Sequence, residues 1–339
     1  MLLKQLSNLD GAAGDEGALR DFIKKNIKDF VDTIDTDALG NLICYKRAKK
    51  KKPVVLIIAH MDEVGFIITA KKQDGTLKFS RVGGISSRVI LSKTVRIGKK
   101  KIKGVIGVKP IHLLDKTEAG KTPEFRELYI DVGAISDKEI EDISIGDYAY
   151  FDTTFEKTTS HILKGKAFDD RIGCSLILDL VKNRFQFPLH AVFTTQEEIG
   201  LRGAYVIGNR IKPDFAIILE GTGAGDFPSD TDTARTPFLG KGPTLTVIDK
   251  SMIADREFLR RIKTIAENKS IPYQIKQPGI GGTDAGRIHI SQRGVTCGII
   301  AVPARYIHSP VSLMNLKDYK NSLRLAEAIL KDIGKMGGK

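Results

Sequence analysis

The chain has 339 residues, of which 41% are hydrophobic and 28% are charged, and its formal net charge is +13. This profile is typical of a soluble globular protein with one large domain or two ordinary ones. No apolar run approaches the ~20 residues of a membrane span, and the first ten residues lack the layout of a signal peptide, so we expect no membrane partner. Three widely separated cysteines, Cys44, Cys174 and Cys297, exclude a disulfide framework or a thiolate zinc site and favour the cytoplasm.

The positive charge is densest in two lysine-rich segments. The first, YKRAKKKKP (45–53), lies between the strand-like runs NLICY and PVVLIIAH, so we expect it to form the exposed tip of a hairpin. The second, GKKKIKG (98–104), has the same setting. Neither segment has interleaved aromatic residues or a recognition helix, which favours a solvated surface over nucleic-acid binding. We therefore expect no nucleic-acid partner.

In chain order, two short helices, LLKQLSNL and EGALRDFIKKNIKDF, are followed by the hairpin and by PVVLIIAH (53–60), a strand buried on both faces. Residues 66–159 have a different pattern, in which short β-like segments alternate with turns rich in Gly, Asp and Lys. This pattern predicts an inserted all-β module. Its strands are predicted in GFIITAKK, TLKFSRVG, KTVRIG, KGVIGVK, ELYIDVG and DYAYF.

After the module, helices and strands alternate again. The predicted helices are DRIGCSLILDLVKNR, GLRGAYVIGNRI, DREFLRRIKTIAENK and a last helix from about Leu316 to Lys335, and the strands between them are LHAVFTT, DFAIILE and CGIIAVPA. This alternation predicts an α/β fold with a mostly parallel sheet flanked by helices. The predicted α/β domain comprises residues 1–65 and 160–339.

Histidines and carboxylates follow the predicted strands where ligands bind in α/β sheets, outside the carboxyl ends. These residues are His60 and Asp62 after PVVLIIA, Asp169 and Asp170 before the first long helix, Glu197 and Glu198 after AVFTTQ, Glu220 after FAIIL, and His308 after CGIIAVPARYI. Each one alone is more simply a loop histidine, a helix cap or a solvated carboxylate. If they converge, the carboxylates would repel one another unless cations were present.

Imidazole and carboxylate ligands without thiolates suit Zn²⁺, Co²⁺ or Mn²⁺. Five ligating residues exceed the three that one catalytic metal usually takes, whereas one bridging carboxylate would give three ligands to each of two ions. The pattern therefore predicts a two-metal hydrolytic site. The adjacent glutamates fit this prediction because one can bind a metal while the other takes a proton from the attacking water.

Six segments, in this order, resemble the cytosolic metallo-aminopeptidases, a family that includes glutamyl aminopeptidases, deblocking aminopeptidases and the tetrahedral (TET) peptidases. The segments are AHMDEVGF, KAFDDRIG, TTQEEIGLRGA, LEGTGAGDFP, GGTDAG and ARYIHSP. The resemblance extends nearly from end to end and includes GNLI near the start and KPIHLL and IDVGA within the module. It implies a zinc-peptidase-like catalytic domain, and it implies that the module is a β-barrel dimerisation domain.

The resemblance also implies a ligand set. One metal would be bound by His60, Asp169 and Glu220, and the other by Asp169, Glu198 and His308, so that Asp169 bridges two divalent ions, zinc or cobalt. Glu220 departs from the family pattern, since many relatives have Asp at this position. Its longer side chain could shift that metal or bind it through both oxygens.

Glu197 would be the general base, and Asp62 and Asp170 would support the ligands. Asp169 is preferred to Asp170 as the bridge because of its spacing to Gly173. The predicted function is an aminopeptidase that removes N-terminal residues from peptide substrates, and the resemblance implies dimers that build a tetrahedral dodecamer.

Two alternatives stay open at this point. One is a glycoside hydrolase in which Glu197 and Glu198 act as acid and base, although such carboxylates lie ~5–9.5 Å apart and normally come from different strands. That function would also leave His60, Asp169 and His308 unused. The other alternative is a basic nucleic-acid-binding protein.

Overall fold

A computed structural model of the chain describes residues 2–115, 117, 120–227, 237–276, 278–279 and 281–335. Pro228, the last residue of the segment LEGTGAGDFP, lies outside the described residues. So do residues 116, 118 and 119 of the predicted module and several short stretches of the predicted α/β domain.

The helices predicted from the sequence all form, and one short helix, Ala285–Ile288, forms where none was predicted. The described residues include α1 (Leu2–Asn8), α2 (Gly17–Ile27), α3 (Phe168–Leu180), α4 (Arg202–Ile211), α5 (Arg256–Asn268), α6 (Ala285–Ile288) and α7 (Leu316–Ile333). Helix α5 shows the local cause, because Asp255 caps its first turn through the N–H of Phe258 and buried Phe258, Ile262 and Ala266 recur every four residues. No helix among the described residues is long and apolar enough to span a membrane.

The strands divide between a large sheet and a small barrel. The sheet contains β1 (Thr33–Thr36), β2 (Leu42–Lys46), β3 (Val55–His60), β10 (Glu156–Lys157), β11 (Ile162–Gly165), β12 (Leu189–Thr194), β13 (Phe215–Gly223), β14 (Thr244–Leu245), β15 (Gln274–Ile275), β16 (Thr296–Arg305) and β17 (Ser312–Asn315). The barrel contains β4 (Gly65–Lys71), β5 (Leu77–Val82), β6 (Thr94–Ile97), β7 (Ile102–Gly107), β8 (Tyr129–Asp131) and β9 (Tyr148–Phe151).

Four parallel strands form the centre of the sheet, in the order β12-β3-β13-β16. Their side chains alternate between two cores: Ile57 and Ile217 face one side, whereas Ile58 and Ile218 face the other. Antiparallel strands extend the sheet at both edges, so that the sheet is mixed around a parallel centre. The predicted α/β fold with an inserted barrel is confirmed. The three cysteines are free and buried.

The predicted hairpin around YKRAKKKKP is wrong. Strand β2 pairs with β1 and β12, and β12 lies between β2 and β3, so the two runs that flank the lysines are not neighbours. Lys49, Lys50, Lys51 and Lys52 are nonetheless exposed. The second lysine cluster does lie at a hairpin, because β6 and β7 pair directly.

The barrel closes in the order β4-β5-β8-β7-β6-β9 around its own hydrophobic core, in which Phe66 packs edge-on against Phe79 and Phe151. All six strands lie within or at the edge of the predicted module. Strand β10, close to its predicted end at residue 159, pairs with β11 in the large sheet. The domain boundaries at residues 65 and 160 stay a prediction.

Residues 10–16, which connect α1 to α2 in the α/β domain, also contact the barrel. We call them the junction segment. The barrel contacts it through Arg96, whose Nη2 lies 2.8 Å from Asp10 Oδ1, and through Tyr150, whose hydroxyl donates to Asp15 Oδ2 at 2.5 Å. On its other side, Lys166 Nζ lies 3.2 Å from Asp10 Oδ1.

Beneath the junction segment lies a buried ion cluster. The Glu63 carboxylate lies 2.5 Å from Lys166 Nζ and 3.1 Å from Arg171 Nη2, and it accepts the N–H of Gly11. Both cationic side chains are fully buried. The cluster therefore connects the residues just before β4 to residues on both sides of Asp169, near the start of α3.

Candidate active site

Parallel register brings the strand-end residues together at the carboxyl edge of the sheet. His60 ends β3 and stands opposite Thr194, the last residue of β12, so the loop that carries Glu197 and Glu198 begins beside it. Glu220 lies on the neighbouring strand β13, which continues to Gly223 instead of ending before Glu220. His308 follows β16.

His60 lies at the centre of the cluster and is 1% exposed. Its Nε2 atom is 3.1 Å from Asp169 Oδ1, 3.1 Å from Glu220 Oε1 and 3.9 Å from Glu197 Oε2. Its Nδ1 atom is 3.0 Å from the carbonyl oxygen of Asp62, which fixes the orientation of the ring. Nε2 therefore faces three carboxylates.

The two oxygens of Asp169 face two different histidines. Oδ1 lies 3.1 Å from His60 Nε2, whereas Oδ2 lies 3.4 Å from His308 Nε2. His308 Nε2 is also 3.1 Å from Glu198 Oε1, and its Nδ1 lies 2.9 Å from the carbonyl oxygen of Gly84 in the barrel. Asp169 thus joins a half-site containing His60 to a half-site containing His308.

Asp170 uses its carboxylate differently, although it is joined to Asp169 by a cis peptide bond. Its Oδ1 accepts the N–H of Gly173 at 2.8 Å, and its Oδ2 accepts the N–H of His60 at 3.2 Å. The side chain is fully buried. Both oxygens therefore hold the main chain in place around His60 and the start of α3.

The loop after β12 is held by two carboxylates from other parts of the chain. Asp62 accepts the N–H of Glu197 through Oδ1 and that of Glu198 through Oδ2, both at 3.0 Å. Glu16 Oε1 accepts the N–H of Gln196 at 3.1 Å. These contacts hold three consecutive N–H groups in place, at a position where Gln196 has a positive φ of 57°.

Glu16 is a site-supporting residue that the sequence analysis missed. It lies 180 residues before Gln196, directly ahead of α2, and its carboxylate is 3% exposed. The only signal was an acidic residue before a predicted helix, which is an ordinary capping position. Nothing in that local pattern indicates a contact with the loop after β12.

Asp284, in GGTDAG, is the second residue without an assigned role. It is 1% exposed, and its Oδ2 accepts the hydroxyl of Thr194 at 2.5 Å. Its Oδ1 is buried without a hydrogen-bond partner among the described residues. Buried polar atoms of this kind indicate that a cationic or hydrogen-bonding group is needed in this region.

Acidic groups dominate the electrostatics of the cluster. Burial, together with repulsion from Glu220, raises the pKa of Glu197 well above its usual range. Burial also raises the pKa of Glu220 to about 8 and that of Asp284 to about 6. Burial lowers the pKa of His308, but hydrogen bonds with Asp169 and Glu198 outweigh this effect and raise it to about 11. The cluster therefore attracts positive charge.

Two overlapping groups of side chains are close enough to hold a metal ion. One comprises His60, Asp170 and Glu220, and the other comprises His60, Asp169 and Glu198. Because both oxygens of Asp170 already accept main-chain N–H groups, Asp169 is the better-placed donor of the two aspartates. The structure thus brings His60, Asp169, Glu197, Glu198, Glu220 and His308 into one cluster.

Comparison with known proteins finds similar chains of nearly the same length. The M42 glutamyl aminopeptidase family matches residues 40–325. The lysyl aminopeptidase of Pyrococcus furiosus is 32% identical over 99% of this chain and 97% of its own length. A TET aminopeptidase from a marine sediment Thaumarchaeota archaeon has a TM-score of 0.94 and 34% identity, covering 97% of this chain and 95% of that chain.

A second structure adds a quaternary comparison. The TET1 peptidase of Pyrococcus horikoshii has a TM-score of 0.84 and 32% identity, covering 96% of this chain and 97% of that chain. That peptidase can assemble into a tetrahedron or a large octahedral shell. The similarity covers both the mixed sheet and the inserted barrel.

Proposed function

We propose that this chain uses two divalent metal ions and a glutamate base to remove N-terminal residues from peptides. The chain belongs to the M42 glutamyl aminopeptidase family and is an aminopeptidase. The observation that carries the proposal is the position of Asp169, whose two oxygens face His60 and His308 separately. A bridging carboxylate of a two-metal hydrolase needs this arrangement.

The charge of the cluster supports two cations. Seven carboxylates are buried or nearly buried there: Asp62, Asp169, Asp170, Glu197, Glu198, Glu220 and Asp284. Two imidazoles face them, and no Lys or Arg among the described residues forms an ion pair with any of the seven. Buried carboxylates are costly without compensating positive charge, and two divalent ions would supply it.

The proposed ligands are His60, Asp169 and Glu220 for one ion and Asp169, Glu198 and His308 for the other. Imidazole nitrogen and carboxylate oxygen suit zinc or cobalt. When bound, the ions would polarise the scissile carbonyl and lower the pKa of the attacking water. Glu220 already reaches His60 in this chain, with 3.1 Å between Oε1 and Nε2.

Glu197 is the proposed general base. Its main-chain N–H is fixed by Asp62, and its Oε2 lies 3.9 Å from His60 Nε2, so the carboxylate borders the ligands but is not the nearest donor to either histidine. It would take a proton from the attacking water and return that proton to the nitrogen of the leaving peptide. Its raised pKa suits this exchange because the carboxylate must both accept and release the proton.

A glycoside hydrolase is not favoured. Glu197 and Glu198 are adjacent on one loop and are held by the same Asp62 carboxylate, whereas glycosidase carboxylates flank the scissile bond. The cluster also places His60, Asp169 and His308 at its centre, and these residues have no role in that chemistry.

The test is a panel of aminoacyl-anilides and N-blocked peptides, assayed with chelator-treated protein and after addition of Zn²⁺ or Co²⁺. We expect hydrolysis of substrates with a free N-terminus, loss of activity with the chelator and recovery with metal. The panel would also give the preferred N-terminal residue. Hydrolysis that persists after complete metal removal, or equal cleavage of N-blocked peptides, would overturn the proposal.

We also propose that the chain self-associates through the barrel, with dimers building a dodecamer. The TET1 peptidase of Pyrococcus horikoshii assembles into closed shells, and closed assemblies of identical chains are the commonest kind. The barrel exposes large apolar side chains, including Ile111, Leu113 and Ile135, which are 75%, 59% and 83% exposed. Light scattering should show a large assembly that Ile111→Asp combined with Leu113→Asp reduces in size. A wild-type chain that is monomeric at micromolar concentration contradicts this proposal.

A further inference from the structure

Three clefts open at the amino ends of the four central strands, on the edge of the sheet opposite the acidic cluster. Their volumes are about 660, 620 and 1090 Å³. The first and second share Arg184, Phe185 and Gln186, and the second and third share Ile265, Asn268 and Asp332. The clefts therefore adjoin one another along this edge, and we call them together the basic groove.

The lining of the basic groove is strongly cationic. Fourteen different Lys and Arg residues line it, against six Asp and Glu residues. A few cations are neutralised locally, such as Lys52, whose Nζ lies 2.9 Å from Asp214 Oδ1. Nine of the fourteen, among them Lys49, Lys50 and Arg184, form no ion pair with any residue in the described part of the chain. The groove therefore carries a local excess of positive charge.

The cations are close enough to influence one another. Burial and the nearby Arg184 guanidinium lower the pKa of Lys46. Arg184 comes from the loop before β12 and Lys46 from the end of β2, and the pairing of these two strands brings the segments together. The fold thus adds basic residues from the 182–184 segment to the lysines of YKRAKKKKP, which the sequence had placed at an isolated hairpin tip.

Aromatic side chains lie among these cations. Phe30, at the first cleft, is 36% exposed. Phe185, at the first and second clefts, is half-buried and stacks on Phe187 with ring centroids 5.4 Å apart and an interplanar angle of 26°. Neither Phe30 nor Phe185 is within ten residues of Lys49 in sequence, so the lysine segment alone showed no aromatic interleaving.

We propose that the basic groove binds a single-stranded nucleic acid, with the unpaired cations along the phosphates and the partly exposed rings of Phe30 and Phe185 against the bases. A row of adjoining cationic clefts with aromatic side chains has the chemistry by which proteins hold single strands without sequence preference. A concave groove fits a strand better than it fits the flat surface of an anionic membrane. The proposal does not depend on the proposed catalytic function, because the groove and the acidic cluster lie at opposite ends of the strands.

Fluorescence anisotropy of labelled oligouridylate and oligothymidylate of about 30 nucleotides tests the proposal with the intact assembly. Salt is varied from about 50 to about 200 mM, and the slope of log Kd against log salt reports the number of phosphate contacts. The groove variant is Lys49→Glu/Lys50→Glu/Arg184→Glu. We expect it to weaken binding at least tenfold and to reduce the slope by about two, since each phosphate contact contributes ~0.7 for a single strand.

The matched control is Lys157→Glu/Lys317→Glu/Lys320→Glu, which changes the net charge equally at exposed positions outside the groove. It should bind within about twofold of wild type at each salt concentration. Phe30→Ala should weaken binding about fivefold without changing the salt slope, because it removes stacking and no charge.

Several results would overturn the proposal. They are the lack of wild-type binding at the lowest salt, an equal loss in the groove variant and the control, and tighter binding of a duplex than of either single strand. Binding to phosphatidylserine vesicles without binding to oligonucleotides would replace the nucleic acid by a lipid surface. Similar affinities for the RNA and DNA strands support recognition through phosphates and base faces.

Discussion

The two ends of the central sheet carry opposite charges in opposite surroundings. At the carboxyl ends, seven carboxylates are buried around two histidines and meet no Lys or Arg in an ion pair within the described chain. At the amino ends, fourteen Lys and Arg residues line clefts that are open to water. The same four parallel strands connect the two regions, so each region lies at one end of these strands.

The contrast shows that the free-energy cost of placing a charged side chain in the folded protein depends more on its burial than on its sign. A lysine in water needs no partner, and surface ion pairs contribute little to stability. A buried carboxylate either finds a counter-charge or takes up a proton, as the raised pKa values of Glu197 and Glu220 show. We therefore expect the acidic end to depend on bound cations, whereas the basic end does not.

Glu197→Gln should have the largest effect on the acidic end. If Glu197 is the base and not a ligand, as proposed, its removal should lower kcat by about 10³-fold or more, while metal content stays near that of wild type. Steady-state kinetics and metal analysis of the same preparation measure both. The adjacent Glu198→Gln is the matched control, because it should lose metal as well as activity. If Glu197→Gln keeps a tenth or more of wild-type kcat, its role as the base is wrong.

Asp169→Ala should weaken the binding of both ions by at least about 100-fold, whereas His60→Ala and His308→Ala should each weaken mainly one. The reason is that, of the residues that the structure describes, Asp169 alone offers one oxygen toward each histidine. Titration calorimetry of chelator-treated protein distinguishes one binding event from two. Two tightly bound ions in the Asp169 variant would shift the bridging role to Asp170.

Glu16→Ala should lower kcat by about tenfold with little change in KM, because the loop that carries Glu197 loses the acceptor for the Gln196 N–H. Glu16→Gln should restore most of the activity. The same oxygen, Oε1, accepts from both Gly14 and Gln196, and an amide oxygen can do the same. Equal losses in the two variants would mean that the charge of Glu16, and not its hydrogen bonds, is important.

Metal-free protein should lose thermal stability as the pH rises from about 5 to about 8. The pKa of Glu220 is 4.5 in its reference state and about 8 in the fold, so the protonated form stabilises the folded chain at low pH and this contribution is lost through that range. Over this pH range, the Tm of the wild-type chain should fall by at least about 2 °C more than the Tm of the Glu220→Gln variant. A shift of that size corresponds to ~1 kcal/mol in a chain of this size. Calorimetry with a chelator measures it, and parallel curves for the two proteins would contradict it.

The smallest effect should come from the basic end. Lys49→Glu/Lys50→Glu/Arg184→Glu should leave kcat within about twofold of wild type and Tm within about 2 °C, because exposed substitutions usually change stability by ~0.5 kcal/mol or less. The same kinetic and thermal assays serve here. A large fall in kcat would show that the two ends of the sheet are coupled and that the comparison fails.

The sequence predicted most of the acidic cluster, since ligands in α/β sheets gather beyond the carboxyl ends of the strands. His60, Glu197 and His308 follow long apolar runs that are recognisable without a structure. Glu16 could not be predicted, because its contact with Gln196 crosses 180 residues and leaves no local pattern. Local patterns report backbone state and burial, and they do not report which distant loop a side chain meets.

The hairpin error has the same origin. NLICY and PVVLIIAH are consecutive and strand-like, which favours a hairpin, but β12 joins the sheet between them. Strands that are consecutive in sequence are often adjacent in a sheet, but a later strand can pair between them. The basic groove was missed for this reason, because Arg184 and Phe185 reach the lysines only through the pairing of β12 with β2.

The junction segment has a consequence for how the molecule opens. The segment contacts the barrel through Arg96 and Tyr150 and the α/β domain through Lys166, over an ion cluster in which Glu63 pairs with two buried cations. Separating the members of a buried ion pair leaves an uncompensated charge. Separation of the two hydrophobic cores therefore has a large free-energy cost. The barrel and the sheet should therefore unfold as one cooperative unit, with amide protons of β9 and β3 exchanging with deuterium through the same global opening.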